Sequence, residues 1–222
     1  MTLFIATCLI AVIAFVAWKS QNLVALVGID LQNDFFTGGA LGVTDSDEIV
    51  SPVNRLIRKF LRFWFAIVIF SRDWHTVKSR HFKINGGTWE THCVQETPGA
   101  AFKKEIDVPE NPNILSKGML DYSDAYSAFD PDARIGTLNL NGFLRRKKVK
   151  TLYICGLATD FCVEQTVLDA CASGLRVYIV TDAMKGVNLK PGNDSRAIEA
   201  MTAAGALPIQ SKDVTLWKLC FG

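Results

Sequence analysis

The stretch 152–171 constrains the fold more than any other part of the chain. It opens with an apolar run, 152–155, of the length of a buried strand, and passes through a turn of small residues, 156–160. A helical pattern of apolar residues follows. Cys162 therefore lies where a strand turns into the N-terminus of a helix. The unpaired amide N–H groups and the positive end of the helix dipole there favour a thiolate over a thiol. The same amides could stabilise the oxyanion formed when a nucleophile attacks a carbonyl group. The alternative role of Cys162 is that of a buried structural cysteine.

Apolar strands and helices alternate along the rest of the chain. The patterns predict strands at 23–29, 65–70, 114–115, 152–155, 176–180 and 207–209. They predict helices at 49–64, 138–146, after Cys162, and from Asn193 or Asp194 to Gly205. This alternation is typical of an α/β fold, a doubly wound and mostly parallel sheet with helices on both faces. We expect residues 1–22 to be a hydrophobic extension and residues 23–222 to be one domain.

The extension contains an uncharged run from residue 2 to residue 18, and Lys19 ends this run. Its length is at the lower limit for a transmembrane helix. Basic residues follow the run and none precedes it, so we expect a membrane anchor with the following domain in the cytoplasm. A cleaved secretion signal and a wrongly assigned start codon are the alternatives.

Reactive side chains follow the predicted strands at their carboxyl ends. Asp30, Asp73, His75, Lys117 and Cys162 all lie at or just after such an end. In open α/β sheets this edge binds ligands. The pattern therefore predicts one site that contains all five side chains.

The three histidines of the chain lie in one segment, beside Asp73. Imidazole nitrogens and a carboxylate oxygen form a suitable ligand set for a divalent metal with open coordination positions. The alternative is three unrelated loop histidines. The net charge of +2 does not indicate nucleic-acid binding, and six cysteines without a CxxC pair favour a reducing compartment.

Six segments, in this order, resemble the nicotinamidases (pyrazinamidases) of the isochorismatase-like hydrolase superfamily. They are DLQNDF (30–35), SRDWH (71–75), WETHCVQETPGA (89–100), KG (117–118), AYSAF (125–129) and GLATDFC (156–162). The resemblance extends over residues 23–209. It implies a doubly wound sheet and a metal-dependent amidase that converts nicotinamide to nicotinate and ammonia through a cysteine thioester, in NAD salvage.

The resemblance also implies roles for individual residues. The catalytic triad would consist of the nucleophile Cys162, the general base Asp30 and Lys117. The core metal ligands would be Asp73, His75 and His92. The aromatic residues around the substrate would be Phe35, Trp89 and Tyr126. The peptide bond between Leu157 and Ala158 would be cis.

The residue chemistry agrees with these roles. Asp30 can take the proton of Cys162 and deliver it to the leaving nitrogen, while Lys117 lowers the pKa of the thiol and keeps Asp30 charged. The amides of Ala158 and Cys162 would hold the oxyanion. A metal, with zinc as first candidate and iron or manganese as alternatives, can bind a pyridine nitrogen and orient the carboxamide.

Two positions depart from the family pattern. Thr76 follows the first histidine where proline is common, and Ser79 stands where many members have a further histidine. Other members have that histidine six residues on, as His81 is here. We expect His81 to be only a secondary metal contact. It lies on a loop that ends in glycines, among the cationic residues Lys78, Arg80 and Lys83, whose charges oppose the binding of a metal cation.

Two other functions compete with the nicotinamidase interpretation. One is a metal-free relative that acts on ureido, carbamoyl or other amide substrates. The other is a catalytically silent, membrane-tethered binding domain. The complete histidine set argues against the first, and the joint presence of Asp30, Lys117 and Cys162 argues against the second. We expect a small-molecule substrate and leave a homo-oligomer open.

Overall fold

Six β-strands form one sheet at the centre of the protein, in a computed structural model that describes residues 2–124 and 126–221. The strands are β1 Leu23–Ile29, β2 Ala66–Asp73, β3 Asn113–Lys117, β4 Val149–Leu157, β5 Arg176–Lys185 and β6 Leu207–Ile209. Their order across the sheet is β3-β2-β1-β4-β5-β6, and each neighbouring pair is parallel. The predicted α/β fold with a parallel sheet is confirmed.

Helices cover both faces of this sheet. They are α1 Thr2–Lys19, α2 Val50–Phe60, α3 Leu140–Arg146, α4 Glu164–Ala172, α5 Asn193–Ala203 and α6 Leu216–Phe221. Apolar residues of α2 and α6 pack in the core on one face, and those of α3, α4 and α5 pack in the core on the other. Burial on both faces explains why the central strands are apolar at nearly every position.

The element boundaries differ from the predicted ones where polar residues enter the fold. β2 continues past Phe70 through Ser71, Arg72 and Asp73, and β5 continues to Lys185. An apolar pattern does not detect these strand ends, because polar residues interrupt it: Ser71, Arg72 and Asp73 in β2, and Thr181, Asp182 and Lys185 in β5. Helix α2 ends at Phe60, four residues before Trp64, and α6 was not predicted.

The order of the strands fixes where a site can form. From β1 the chain moves outward through β2 to β3, and from β4 it moves outward in the other direction through β5 to β6. The reversal lies between β1 and β4, which are neighbours in the sheet. Ligands bind outside the carboxyl ends of strands at such a reversal. Asp30 follows β1, and the turn that contains Cys162 follows β4.

The last turn of α1 packs against α6. The ring centroids of Phe15 and Trp18 lie 5.7 and 6.1 Å from that of Phe221. Lys19 is 2% exposed, and its ammonium group donates hydrogen bonds to the carbonyl oxygens of Leu219 at 2.6 Å and Cys220 at 3.3 Å. These contacts join the end of the hydrophobic extension to the C-terminal helix of the chain, and the boundary expected at residue 22 stays a prediction.

The transmembrane helix expected at the N-terminus is not found. Among the helices of residues 2–124 and 126–221, none combines the length and the apolar character needed to cross a membrane.

We predict that Lys19→Met lowers the free energy of unfolding by about 1.5–3 kcal/mol, the usual contribution of hydrogen bonds from a charged donor. Methionine fills similar space but leaves the carbonyl groups at the end of α6 without their donor. Urea unfolding followed by circular dichroism measures the change. Lys104→Met, at an exposed position, is the matched control and should stay within about 0.5 kcal/mol of the wild type. Equal stability of both variants would contradict the docking role of Lys19.

Candidate active site

The four charged or nucleophilic side chains predicted at the strand ends converge at one buried point. Asp30 follows β1, Asp73 ends β2 and Lys117 ends β3. Cys162 lies in a π-helical turn, Thr159–Val163, between β4 and α4. Asp73 and Lys117 are direct partners in the register of β2 and β3, which brings them side by side. None of the four is more than 7% exposed.

Lys117 is the centre of this cluster. Its ammonium nitrogen lies 2.9 Å from Oδ2 of Asp30 and 3.4 Å from Sγ of Cys162, and it donates a hydrogen bond to Oδ1 of Asp73. The thiol and the two carboxylates also lie within 4.8 Å of one another. One buried cation is thus shared between two carboxylates and a thiol.

The buried charges stabilise one another's ionised forms. Burial by itself lowers the pKa of the Lys117 ammonium, but Asp30 and Asp73 raise it well above its usual value. Burial raises the pKa of Asp73, but Lys117, together with His75 and His92, holds it well below its usual value. These pKa directions favour the ammonium form of Lys117 and the carboxylate form of Asp73.

Cys162 departs from the expectation drawn from the sequence. Burial raises the pKa of its thiol well above the usual value. Lys117 opposes this change, but Asp30 and Asp73 add to it. The expectation of a lowered thiol pKa is wrong because the helix-start argument neglects desolvation and the two carboxylates. This direction favours the protonated thiol of Cys162, and a nearby base would be required to ionise it.

Asp30 is suited to be that base. Burial raises the pKa of its carboxyl group, Lys117 lowers it and Asp73 raises it further, with a net increase. Ser71 donates a hydrogen bond of 2.6 Å to Oδ1, which directs the other oxygen, Oδ2, toward Lys117. A carboxylate with a raised pKa is a stronger base than an exposed one.

A strand-to-turn junction brings Cys162 to Asp30. Gly156, near the end of β4, has φ +116°, and a Cβ there would collide with the backbone of Ile29. Only glycine allows β4 to pass this close to the end of β1. The following peptide bond, Leu157–Ala158, is cis, as the resemblance implies.

The three imidazoles form a second group, beside Asp73. His75, His81 and His92 are at most 6% exposed, and one ring nitrogen of each lies within 4.8 Å of the other two. The Nε2 atoms of His75 and His92 lie 3.7 and 3.8 Å from Oδ2 of Asp73. Asp73 thus contacts Lys117 through one oxygen and faces the imidazoles with the other.

Each imidazole is held by its other nitrogen. Nδ1 of His75 lies 3.1 Å from the carbonyl oxygen of Gly118, Nδ1 of His92 lies 2.7 Å from that of Glu90, and Nδ1 of His81 lies 2.9 Å from the carboxylate of Asp124. These acceptors favour a proton on Nδ1 and leave the Nε2 lone pairs free for a metal. Within the described part of the chain, the buried Nε2 of His75 has no hydrogen-bond partner. The group therefore fits a divalent metal ion.

His81 differs from its expected setting. The sequence predicted a mobile, cationic loop, but the imidazole is buried, and its ring is stacked 5.0 Å from that of His75. The neighbouring cationic residues are exposed: Lys78, Arg80 and Lys83. Their charges are therefore screened by water, so they oppose a cation at His81 less than the sequence suggests, and the secondary role of His81 stays a prediction.

A cavity of about 450 Å³ opens beside Cys162 and the imidazoles. Its lining includes Phe35, Trp89 and Tyr126, as predicted, and also Phe161. Trp89 donates an indole hydrogen bond of 2.8 Å to the hydroxyl of Tyr126 and meets Phe161 edge-on at 5.0 Å. Such rings can enclose a small flat aromatic ligand.

Sequence reasoning missed three contacts of the site. The side-chain amide of Gln32 pairs with the main chain of Asp73, Ser71 donates to Asp30, and Phe161 lines the cavity. All three residues lie inside segments that carry the family resemblance, and Phe161 directly precedes Cys162. The partners of Gln32 and Ser71 lie 41 residues away along the chain, so local patterns could not show these contacts.

Known proteins are similar to this chain in sequence and in architecture. The family model of the isochorismatase domain matches residues 24–213. The nicotinamidase of Escherichia coli strain K12 is 36% identical over 197 residues, which cover 82% of this chain and 92% of the relative. The crystal structure of the pyrazinamidase of Pyrococcus horikoshii in complex with zinc has a TM-score of 0.77 and 42% identity, and covers 84% of this chain and 98% of that one.

A further solved structure, PnC1 from L. infantum in complex with nicotinate, has a TM-score of 0.77 and 28% identity. It covers 87% of this chain and 95% of that chain. With an isochorismatase domain over most of its length and relatives of this similarity, the chain belongs to the isochorismatase-like hydrolases, and within them to the nicotinamidases and pyrazinamidases.

Proposed function

We propose that the protein hydrolyses nicotinamide to nicotinate and ammonia in NAD salvage, with Cys162 as nucleophile and a divalent metal beside it. One observation carries the proposal: Cys162 and Asp73 of the buried Lys117 cluster line the same aromatic cavity as the imidazoles of His81 and His92. The names of the relatives agree with it, since one is a nicotinamidase and another was solved with nicotinate.

The first half of the reaction forms a thioester. Asp30 accepts the thiol proton of Cys162 as the sulfur attacks the carboxamide carbon. The amides of Ala158 and Cys162 stabilise the oxyanion of the tetrahedral intermediate. The carbon–nitrogen bond then breaks, and the proton held by Asp30 passes to the departing ammonia. Lys117 keeps the local charge balanced while this proton moves, because its ammonium group keeps its own proton.

The second half releases the acid. A water molecule attacks the thioester carbon and Asp30 accepts one of its protons. The carbon–sulfur bond breaks, Cys162 recovers its proton from Asp30, and nicotinate leaves. The acid first formed gives its carboxyl proton to solvent or to ammonia, so each turnover consumes one nicotinamide and one water and yields one nicotinate and one ammonium ion.

The metal would be held by Asp73, His75, His92 and His81. When bound, a divalent ion supplies an electrophilic position that can take a ring nitrogen and orient the carboxamide toward the thiol. Zinc is the first candidate because imidazole and carboxylate ligands suit it and the P. horikoshii relative was solved with zinc; iron and manganese are the alternatives.

Aromatic side chains would hold the substrate ring. The ring centroid of Phe35 lies 5.6 Å from that of His92, so Phe35 is beside a proposed metal ligand. Trp89, Tyr126 and Phe161 contact one another around the rest of the cavity. A pyridine ring between these faces is excluded from bulk water, which strengthens the electrostatic contacts of its carboxamide.

We infer a cytoplasmic location for the catalytic domain from its cysteines. Cys162 is a free thiol, as are the other cysteines whose side chains the structure describes: Cys93, Cys155, Cys171 and Cys220. A nucleophilic thiol stays reduced most readily in that compartment.

We predict that Cys162→Ala lowers kcat by about 10⁴-fold or more, since loss of a nucleophile removes the whole covalent pathway. Ammonia release from nicotinamide measures the activity, and Tm and zinc content measure folding and metal binding, which should be unchanged. Cys171→Ala, on α4, is the matched control and should keep wild-type activity. Substantial turnover by a folded Cys162→Ala protein would refute the assignment of the nucleophile.

We predict that His81→Ala and His92→Ala each weaken zinc binding by more than about 100-fold, beyond the range of supporting-residue changes. Both remove a buried nitrogen from the same group. Titration of metal-free protein with Zn²⁺ against a chromophoric chelator measures the affinity, and a chelator should abolish activity of the wild type. A loss of only about tenfold in His81→Ala would restore its secondary role. Full activity of metal-free protein would favour the metal-free amidase instead.

A further inference from the structure

Two polar side chains between Asp30 and Phe35 take no part in the chemistry described above. Gln32 is fully buried, and Asp34 lies in a short 3₁₀ turn, Asn33–Phe35. We propose that both are positioning residues of the metal centre, each holding one segment that carries a metal ligand. This inference rests on the proposed metal-dependent amidase and extends it to residues that touch neither metal nor substrate.

Gln32 holds the main chain of Asp73. Its Nε2 donates to the carbonyl oxygen of Asp73 at 2.7 Å, and its Oε1 accepts from the amide of Asp73 at 2.7 Å. The same Nε2 donates to the carbonyl oxygen of Ala100 at 2.9 Å. The side-chain amide thus pairs with Asp73 as an extra strand would, on the β1 side of β2 and beyond the last register partners of β1 and β2, Gly28 and Phe70. Both main-chain groups of Asp73 are fixed, and the direction of its carboxylate follows from them.

Asp34 holds the residue after His92. Its Oδ2 accepts a hydrogen bond of 2.7 Å from the amide of Cys93. Cys93 has φ +45°, in the left-handed region that is uncommon for residues other than glycine. A charged acceptor on its amide stabilises this conformation, because hydrogen bonds to ionised groups are roughly twice as strong as neutral ones.

The Asp34 carboxylate is itself fixed in place. The backbone amide of Asp34 donates a hydrogen bond of 3.1 Å to the carbonyl oxygen of Gly99. The carboxylate packs so closely on Gly99 that a Cβ at residue 99 would collide with it. His92 is therefore held on both sides, through Glu90 at Nδ1 and through the contact of Asp34 with Cys93. Metal sites require ligands placed to within about 0.5 Å, which explains a need for such supports.

The test is zinc affinity, measured on metal-free full-length protein by competition with a chromophoric chelator. Asp34→Ala removes the acceptor of Cys93 and should weaken zinc binding about 10- to 100-fold. Asp34→Asn keeps a side-chain oxygen that can accept the same hydrogen bond, and should restore most of the affinity. A merely structural role would lower the stability of both variants without this difference in zinc affinity.

Asp160→Ala is the matched control. Asp160 also accepts two backbone amides at this edge of the sheet, from Val187 and Asn188 at 2.8 Å each, but it holds no ligand-bearing segment. Its loss should leave zinc affinity unchanged, even where Tm falls.

A second variant keeps the inference testable if Asp34→Ala does not fold. Gln32→Met removes the hydrogen bonds to Asp73 at similar volume and should also weaken zinc binding about 10- to 100-fold. Wild-type zinc affinity in either folded variant would overturn the inference while leaving the proposed function intact. A wild-type protein that binds none of zinc, iron and manganese would overturn both.

Discussion

The ammonium group of Lys117 is the interaction on which the rest of the site depends. A buried cation is strongly unfavourable unless anions surround it, and here two carboxylates do so. The three charges come from the ends of three adjacent strands, so only the order β3-β2-β1 can assemble them. Their shared burial also raises the pKa of the Cys162 thiol, since desolvation and two nearby anions outweigh one cation.

Asp73 joins this cluster to the imidazoles. One of its oxygens accepts from Lys117 and the other faces His75 and His92. A single carboxylate thus lies between the imidazole group and the cluster of Lys117 and Cys162. This arrangement explains why supports such as Gln32 act on the main chain of Asp73, because a small rotation of that residue would disturb two sites.

The sequence was sufficient for the fold and for the edge of the sheet where Asp30, Asp73, Lys117 and Cys162 meet, but not for the electrostatics of these side chains. Apolar periodicity located each strand, and the polar residue at each strand end identified the binding edge. The pKa direction of Cys162 and the burial of His81 depend on contacts between distant segments, which local patterns do not contain. The same holds for the helix contact of Lys19, whose partners lie 200 and 201 residues away.

The arrangement of the imidazoles also bears on the metal-free alternative. Three buried rings are each fixed through Nδ1, and their remaining nitrogens lie close together. Buried polar atoms are nearly always satisfied in folded proteins, yet in the described residues Nε2 of His75 has no hydrogen-bond partner. A metal-free amidase would gain nothing from this geometry, and apolar residues would pack there at lower cost. The imidazoles beside Asp73 are therefore best explained by a bound cation, which links the histidine segment to the amide chemistry of Cys162.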